Sequence, residues 1–250
     1  MSAQQDTSAN RSVVANRRVL PGVVQSYVAR AVERDPESRR TVRVTQVGEM
    51  VLKRGAKARP FTATEEFAVD RVAFAWRARF PLLGPVALNV VDSYDGREGL
   101  LEVRLLGVPL QRNRGPQLAL GEAFRYLAEI AWVPHAILAN PGLEWRDLGD
   151  RAAEVSTRIA GERIAVRLIF DEAGEITQTI AERPRIEAGG EVARWIGEYS
   201  DPQELSGVRL PTRGEVRWEL PDGPFTYWRG RVTSLELSAG GLRDRSRTER

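Results

Sequence analysis

The sequence predicts a mainly β, α+β fold: one large curved antiparallel sheet of about ten strands, half-barrel-like, with two main helices covering its concave face. Three observations predict it. Apolar and polar residues alternate in short runs, as in Val72, Phe74, Trp76, Ala78 and Phe80 set among Arg71, Arg77 and Arg79. Turn signals such as Asp95-Gly96 separate the runs at hairpin spacing. Only two stretches carry the helical period, and they do not alternate with the strands as βαβ units would. A sheet of that width is expected to curl rather than lie flat.

Taken in order, residues 1–18 are rich in Ser, Ala, Asn and Gln and are expected to be disordered. Pro21 opens the first helix, whose Val23, Val24, Tyr27, Val28, Ala31 and Val32 share one face. Asp35-Pro36 is expected to end it, because the residue before a proline disfavours the helical conformation. The period then changes to two. Residues 41–53 read as a strand with Gly48 at a bulge. In the next run Phe61, Ala63, Phe67 and Val69 alternate, while Glu65 breaks the pattern. The arginine-interleaved strand follows, and 86–94 with 99–106 form a hairpin across Asp95-Gly96. Residues 107–115, with Arg112, Asn113 and Arg114, read as a flexible basic loop able to serve as a lid.

The second helix occupies residues 121–134. Phe124, Leu127, Ala128 and Ala131 form its apolar stripe, and Arg125, Glu129 and Trp132 follow the border of that stripe. It is expected to lie across the concave face as a plug or lid. After a turn at Asn140-Pro141-Gly142 the strands resume at 143–148, 153–159, 164–170, 176–182, 192–199, 216–220 and 225–237. Residues 19–238 thus read as a single β-rich domain, without internal repeat or linker, and 239–250 as a polar, disordered tail.

Composition removes several classes of function. With 250 residues, 42% of them hydrophobic, the chain can bury a full core. No apolar run approaches the roughly 18–20 residues of a membrane-spanning helix. The net charge is +3, but the 37 basic and 34 acidic residues are interspersed rather than clustered, which argues against a nucleic-acid surface. The absence of cysteine excludes disulfides and thiolate chemistry. Together with an N-terminus lacking an apolar signal core, it sets the expectation of a cytoplasmic protein.

Several pieces recur in a familiar order. They are Phe61-Thr62-Ala63, Trp76-x-Ala78, Asp92-x-Tyr94-x-Gly96, Arg125-Tyr126-Leu127-Ala128-Glu129-x-x-Trp132-x-Pro134, Trp145, and Trp195 followed by Tyr199. Gly207-x-x-Leu210-Pro211-Thr212-x-Gly214-Glu215-Val216-x-Trp218 closes the set. Over most of residues 20–238 this resembles an uncharacterised bacterial family, a domain of unknown function that carries the Arg-Tyr-Leu-Ala-Glu helix signature. The architecture also resembles carriers of the LolA/LolB type, in which helices cover a curved antiparallel sheet. The family resemblance implies no agreed activity and no catalytic residues.

The candidate residues therefore come from position. Asp92 shares a strand face with Val86, Leu88 and Val90, where an unpaired carboxylate costs several kcal/mol if buried. It is either a hairpin-shaping residue, with Tyr94, or a functional acid. Arg125 and Glu129, four apart on the helix, serve either as anion clamp and general acid/base or as a tie between helix and a strand carboxylate such as Asp92. Trp76, Tyr126, Trp132, Trp145, Trp195 and Trp218 either fill a wide core or line an apolar cavity. His135, the only histidine, has no neighbour to complete a triad or metal site and reads as helix-terminal or solvent-facing. No phosphate-binding glycine motif is present, and no metal or cofactor is expected. The expected partner is an apolar small molecule or lipid held between sheet and helices. The alternative is a cofactor-independent cyclase, isomerase or hydrolase using Asp92, Tyr94, Arg125 and Glu129.

Overall fold

The computed structural model describes residues 20–32, 40–185 and 189–242. The disorder expected for 1–18, the helix end expected at 35–36 and most of the tail fall outside those residues. The first helix, α1 (Gly22–Ala31), starts after Pro21 and buries Val24, Tyr27, Val28 and Ala31. Six strands follow: β1 (Thr41–Met50), β2 (Arg59–Ala68), β3 (Phe74–Pro81), β4 (Ala87–Tyr94), β5 (Gly99–Leu105) and β6 (Val108–Gly115). A helical segment comes next, with α2 (Pro116–Ala128), a single 3-10 turn (Glu129–Trp132) and α3 (Pro134–Ala139). Then come β7 (Glu144–Gly149), β8 (Ala152–Ile159), β9 (Glu162–Phe170), β10 (Ile176–Arg185), β11 (Glu191–Leu205), β12 (Val208–Leu220) and β13 (Gly223–Ser238).

All 13 strands form one antiparallel sheet, in the order β6-β5-β4-β3-β2-β1-β13-β12-β11-β10-β9-β8-β7. Two meanders therefore grow outward in opposite directions from a central β1–β13 pair. Their outermost strands, β6 and β7, do not pair with each other, so the half-barrel stays open. Strand alternation puts the β1–β2, β3–β4, β5–β6, β8–β9, β10–β11 and β12–β13 turns at one end of the sheet, here called the upper rim. The twelve strand ranges read from the sequence become 13 because the basic stretch before the second helix is not a loop. It is the edge strand β6, whose residues from Val108 to Arg114 all face solvent. An edge strand needs no apolar face, so its composition hides it.

The helical segment joins the two outer edges of the sheet and lies between the arms. Helix α2 touches β4, β5 and β6 on one side and β8, β9 and β10 on the other. A helix gripped by both arms buries most of its circumference, including Leu118, Ala119, Glu122, Ala123, Phe124, Tyr126 and Leu127. It is a plug rather than a lid. Arg125, Glu129 and Trp132, expected along a border, are enclosed as well. The helix begins at Pro116, five residues earlier than expected, where the ring's fixed φ suits the first helical position.

Burying a helix end requires partners for its last carbonyls. Tyr199 donates its hydroxyl to the Ala128 carbonyl at 2.8 Å, and Tyr27 of α1 donates to Ala131 at 3.2 Å. The Trp132 indole donates to the Pro211 carbonyl at 3.0 Å, and Tyr126 to Ala68 at 2.8 Å. Each bond links the segment to a different part of the chain. His135, in the first turn of α3, is buried at 3% exposure and does not face solvent.

Gly48 is not at a bulge; the β1–β13 register shift falls between Thr45 and Gln46. Gly48 pairs with Gly230, which pairs with Gly214, making a glycine row across three strands. A Cβ on Gly48 would meet the Arg229 carbonyl and stand 2.8 Å from the Phe61 ring, and one on Gly214 would stand 3.0 Å from Trp132. The row admits aromatic rings against bare backbone. Gly48→Ala is expected to lower stability by about 1–3 kcal/mol, read as a lower urea midpoint. Gly22→Ala, at a position with nothing within 4 Å of the added carbon, serves as the unaffected control. Equal midpoints for both variants would contradict the close packing.

Candidate functional site

The sheet's concave face holds a buried charge cluster centred on Arg125. Each of its three guanidinium nitrogens donates to a different carboxylate. Nη2 reaches Glu65 of β2 at 2.7 Å, Nη1 reaches Asp92 of β4 at 2.8 Å, and Nε reaches Glu129 at 2.9 Å. The planar fork suits this arrangement, and the Phe74 and Trp76 rings lie under it at 4.8 and 5.3 Å from their centroids. Gln46 of β1 extends the network, donating to Glu65 at 3.0 Å and accepting from the Trp76 indole at 2.9 Å. Glu122, one turn earlier on α2, is buried beside Asp92.

Burial governs the protonation of these acids. It pushes Glu65 and Glu122 well above the usual carboxylate range, despite the opposing pull of Arg125. Asp92 and Glu129 rise for the same reason. For Arg125 burial acts against the charged form, but Glu129, Glu65, Asp92 and Glu122 outweigh it and hold the guanidinium firmly protonated. Glu129 Oε2 and Asp92 Oδ1 receive no N–H donor. Glu65 stands beside Glu129 and Glu122 beside Asp92, so a proton kept on the more strongly raised acid of each pair can bridge it to its neighbour.

The structure therefore brings together Arg125, Glu129, Asp92 and Trp76, and adds Glu65, Glu122 and Gln46. Three of the five N–H groups of Arg125 already serve carboxylates of the protein, which makes it a tie between helix and strands. Tyr94 stands apart at the lower turns, where it lines an open depression of about 390 Å3 with Asp70, Arg71 and Asn140. Tyr126 and Trp132 are closed off from solvent with their polar atoms bonded inside the protein, so both are core residues rather than ligand contacts. Trp145 sits half-buried on the edge strand β7.

Trp195 and Trp218 form a second group. They are paired across β11 and β12, and Arg183 stacks on them at 4.6 and 5.5 Å from the ring centroids. The Trp195 indole donates to the Tyr227 hydroxyl at 3.0 Å. Arg183 Nε is buried and has no hydrogen-bond partner. Toward the upper rim, Leu88, Val90, Met50, Leu220, Phe225 and Tyr227 point inward and pack against the core while staying only partly buried. A depression of about 640 Å3 along the glycine row lies instead on the outer face, lined by residues such as Glu49, Glu215 and Arg229, and includes none of the cluster. Among the described residues no group of acidic and histidine side chains is placed to hold a metal.

Four of these residues escaped the sequence reading in different ways. Glu65 registered only as a break in an apolar alternation, yet it is in phase with Phe61, Ala63 and Phe67. Gln46 and Arg183 also occupy inward positions of their strands, the latter in phase with buried Ala181. Glu122 lies three residues before Arg125 on the helix. A polar residue at an inward strand position is the signal that would have found the first three.

Two outcomes follow from the cluster. A neutral Glu65 means the folded chain holds a proton that an unfolded glutamate has released. Stability then falls as pH rises above the ordinary carboxyl range. Glu65→Gln, which keeps the shape and cannot ionise, is expected to remove its share of that fall. Denaturation midpoints measured as pH rises above the ordinary carboxyl range read it, and an unchanged slope would contradict the upward shift of Glu65. Arg125→Met leaves two buried anions without their counter-ion and is expected to cost about 3–5 kcal/mol. Arg125→Lys is expected to recover little of it, since an ammonium cannot reproduce the three-way fork; full recovery by lysine would show that charge alone suffices.

Comparison with known proteins gives the following. No curated protein matches the chain. A solved LolA superfamily protein from Nitrosomonas europaea is similar at 10% identity, with a TM-score of 0.44, over 89% of this chain and 94% of that one. A DUF1329 family protein from Desulfovibrio piger is similar at 11% identity, with a TM-score of 0.40, over 94% of this chain and 93% of that one. A family model described as a family of unknown function, DUF6544, matches residues 13–230. With most of its length covered by that match, the chain belongs to the DUF6544 family.

Proposed function

We propose that the protein binds an amphipathic, lipid-like small molecule in the upper part of the concave face, its polar end against Arg183. The observation that carries this reading is the juxtaposition of two features. A guanidinium lying over two neighbouring indoles keeps an unpartnered, buried Nε, and the inward-facing apolar side chains toward the upper rim are only partly buried. Binding sites of this kind are mostly apolar with a few placed polar groups. The unpartnered donor selects an acceptor, such as a carboxylate or ester oxygen, at the ligand's polar end. Arg125 supports the reading indirectly, since its three carboxylate partners fix α2 below that region.

A cofactor-independent enzyme is the second reading, and Asp92 favours it. Its carboxyl is raised by burial, retains 17% side-chain exposure, and is reached by the charge of Arg183. In that reading Asp92 is a general acid/base at the end of the ligand site.

Titration with a fluorescent fatty-acid analogue, followed by native mass spectrometry, tests the binding reading. Saturable one-to-one binding is expected, and Val90→Trp, which fills a half-exposed inward position, is expected to weaken it about tenfold or more, a change of roughly 1.4 kcal/mol. Absence of saturable binding to fatty acids and to their esters would remove the proposal. Asp92→Asn separates the two readings: binding without any turnover in either form supports a carrier or sensor, whereas turnover lost only in the variant supports the enzyme.

A further inference from the structure

The upper rim is asymmetric in a way the interior does not require. On the arm built from β1–β6, three turns stand side by side, those joining β1–β2, β3–β4 and β5–β6. They expose Leu52 (62%), Leu82 and Leu83 (85%), and Leu106 (73%), with Val108 and Leu110 beside them on β6. Residues 51–59, 79–88 and 104–112, which make up this edge, include seven basic residues and no Asp or Glu. Both lysines of the chain, Lys53 and Lys57, are among them. Among the described residues Lys53, Lys57, Arg59 and Arg79 are paired with no carboxylate, whereas Arg54 reaches Asp222 at 3.3 Å. The other arm's share of the same rim differs. Its turns mix Arg158, Arg163 and Arg185 with Glu162, Glu191 and Asp222, and Val192 is its exposed large aliphatic residue among those described. The base-rich composition of the chain as a whole therefore does not account for the contrast.

We propose that this edge docks the protein on an anionic phospholipid bilayer. The two ingredients match the two layers of such a surface. Exposed leucines on short turns enter the headgroup boundary, where contiguous apolar side chains lose their contact with water. Unpaired lysines and arginines beside them meet the negative surface potential, each basic residue contributing on the order of 1 kcal/mol near the surface. A protein partner with an acidic apolar face would satisfy the same chemistry at a single location, but here the apolar tips are spread along three separate turns. That spread matches a continuous fluid surface better than one pocketed partner. Docking along this edge sets the open part of the concave face beside the bilayer. The inference does not rest on the ligand reading, because it uses only residues outside the mouth.

Vesicle flotation of the full chain tests it, with phosphatidylcholine alone and with an equimolar mixture of phosphatidylcholine and phosphatidylglycerol. Binding is expected to the mixture and not to phosphatidylcholine alone, and to weaken as salt is added. Lys53→Ala and Lys57→Ala are each expected to weaken it about fivefold, the equivalent of roughly 1 kcal/mol. Leu83→Ser with Leu106→Ser is expected to weaken it while leaving the salt dependence in place. All four positions are exposed, so the variants keep their fold. Arg213→Ala with Arg231→Ala removes the same charge from the outer face and is expected to leave binding unchanged. No binding to the anionic vesicles, or equal losses from rim and outer-face variants, would overturn the proposal. Binding only to an acidic protein surface and to neither vesicle would overturn it as well.

Discussion

The position of one guanidinium determines how the rest of this molecule is arranged. Arg125 holds β2, β4 and its own helix end through three carboxylates, while aromatic rings close it from below. Taking that many ionisable groups out of water is tolerable only when charges cancel and lone pairs are filled. The raised affinity of Glu65 and Glu122 for protons, and the approach of Arg183 from the opposite arm, work toward both conditions. The helix is thereby fixed in depth and rotation, and Tyr199 and Tyr27 donate their hydroxyls to carbonyls at its end.

A consequence for function is a division of labour along the concave face. The lower part, around the cluster, is bonded chiefly to itself, with Asp92 Oδ1 and Glu129 Oε2 receiving no N–H donor. Toward the upper rim the inward apolar side chains are only partly buried, and Arg183 Nε has no hydrogen-bond partner. Residue type alone does not separate these two states. Arg125 and Arg183 are both buried arginines stacked on aromatic rings, and only the count of partners on each nitrogen distinguishes a structural clamp from a vacant donor.

The strand pattern was legible because inward and outward positions alternate, and the alternation survives wherever one face is buried. It failed at β6, which buries neither face, and at the start of α2, where Pro116 and its neighbours follow directly on an edge strand. The pairing of Arg125 with Asp92 was within reach of the sequence, since both stood at the margin of an apolar face. Glu65 was visible only as an irregularity, because its meaning depends on Arg125, on a helix 60 positions further along the chain, rather than on its own strand. Tyr126 and Trp132 show the opposite limit. Aromatic residues on a helix border look alike whether they face a cavity or a second arm of the sheet, and the curl that closes over them is a property of the whole sheet.

The glycine row and the central β1–β13 pair share one further implication, which concerns the making of the fold. Each arm is a run of sequence-adjacent hairpins and can assemble locally, but the seam between them joins the beginning of the sheet to its last strand. Contacts so distant along the chain form slowly, because the intervening loop must first be closed. Until the seam closes, both arms carry bare inner faces and a free strand edge at what will become the middle of the sheet. The narrow fit at Gly48, Gly230 and Gly214 lies on that seam, so the last step of assembly is also the one least tolerant of an added carbon.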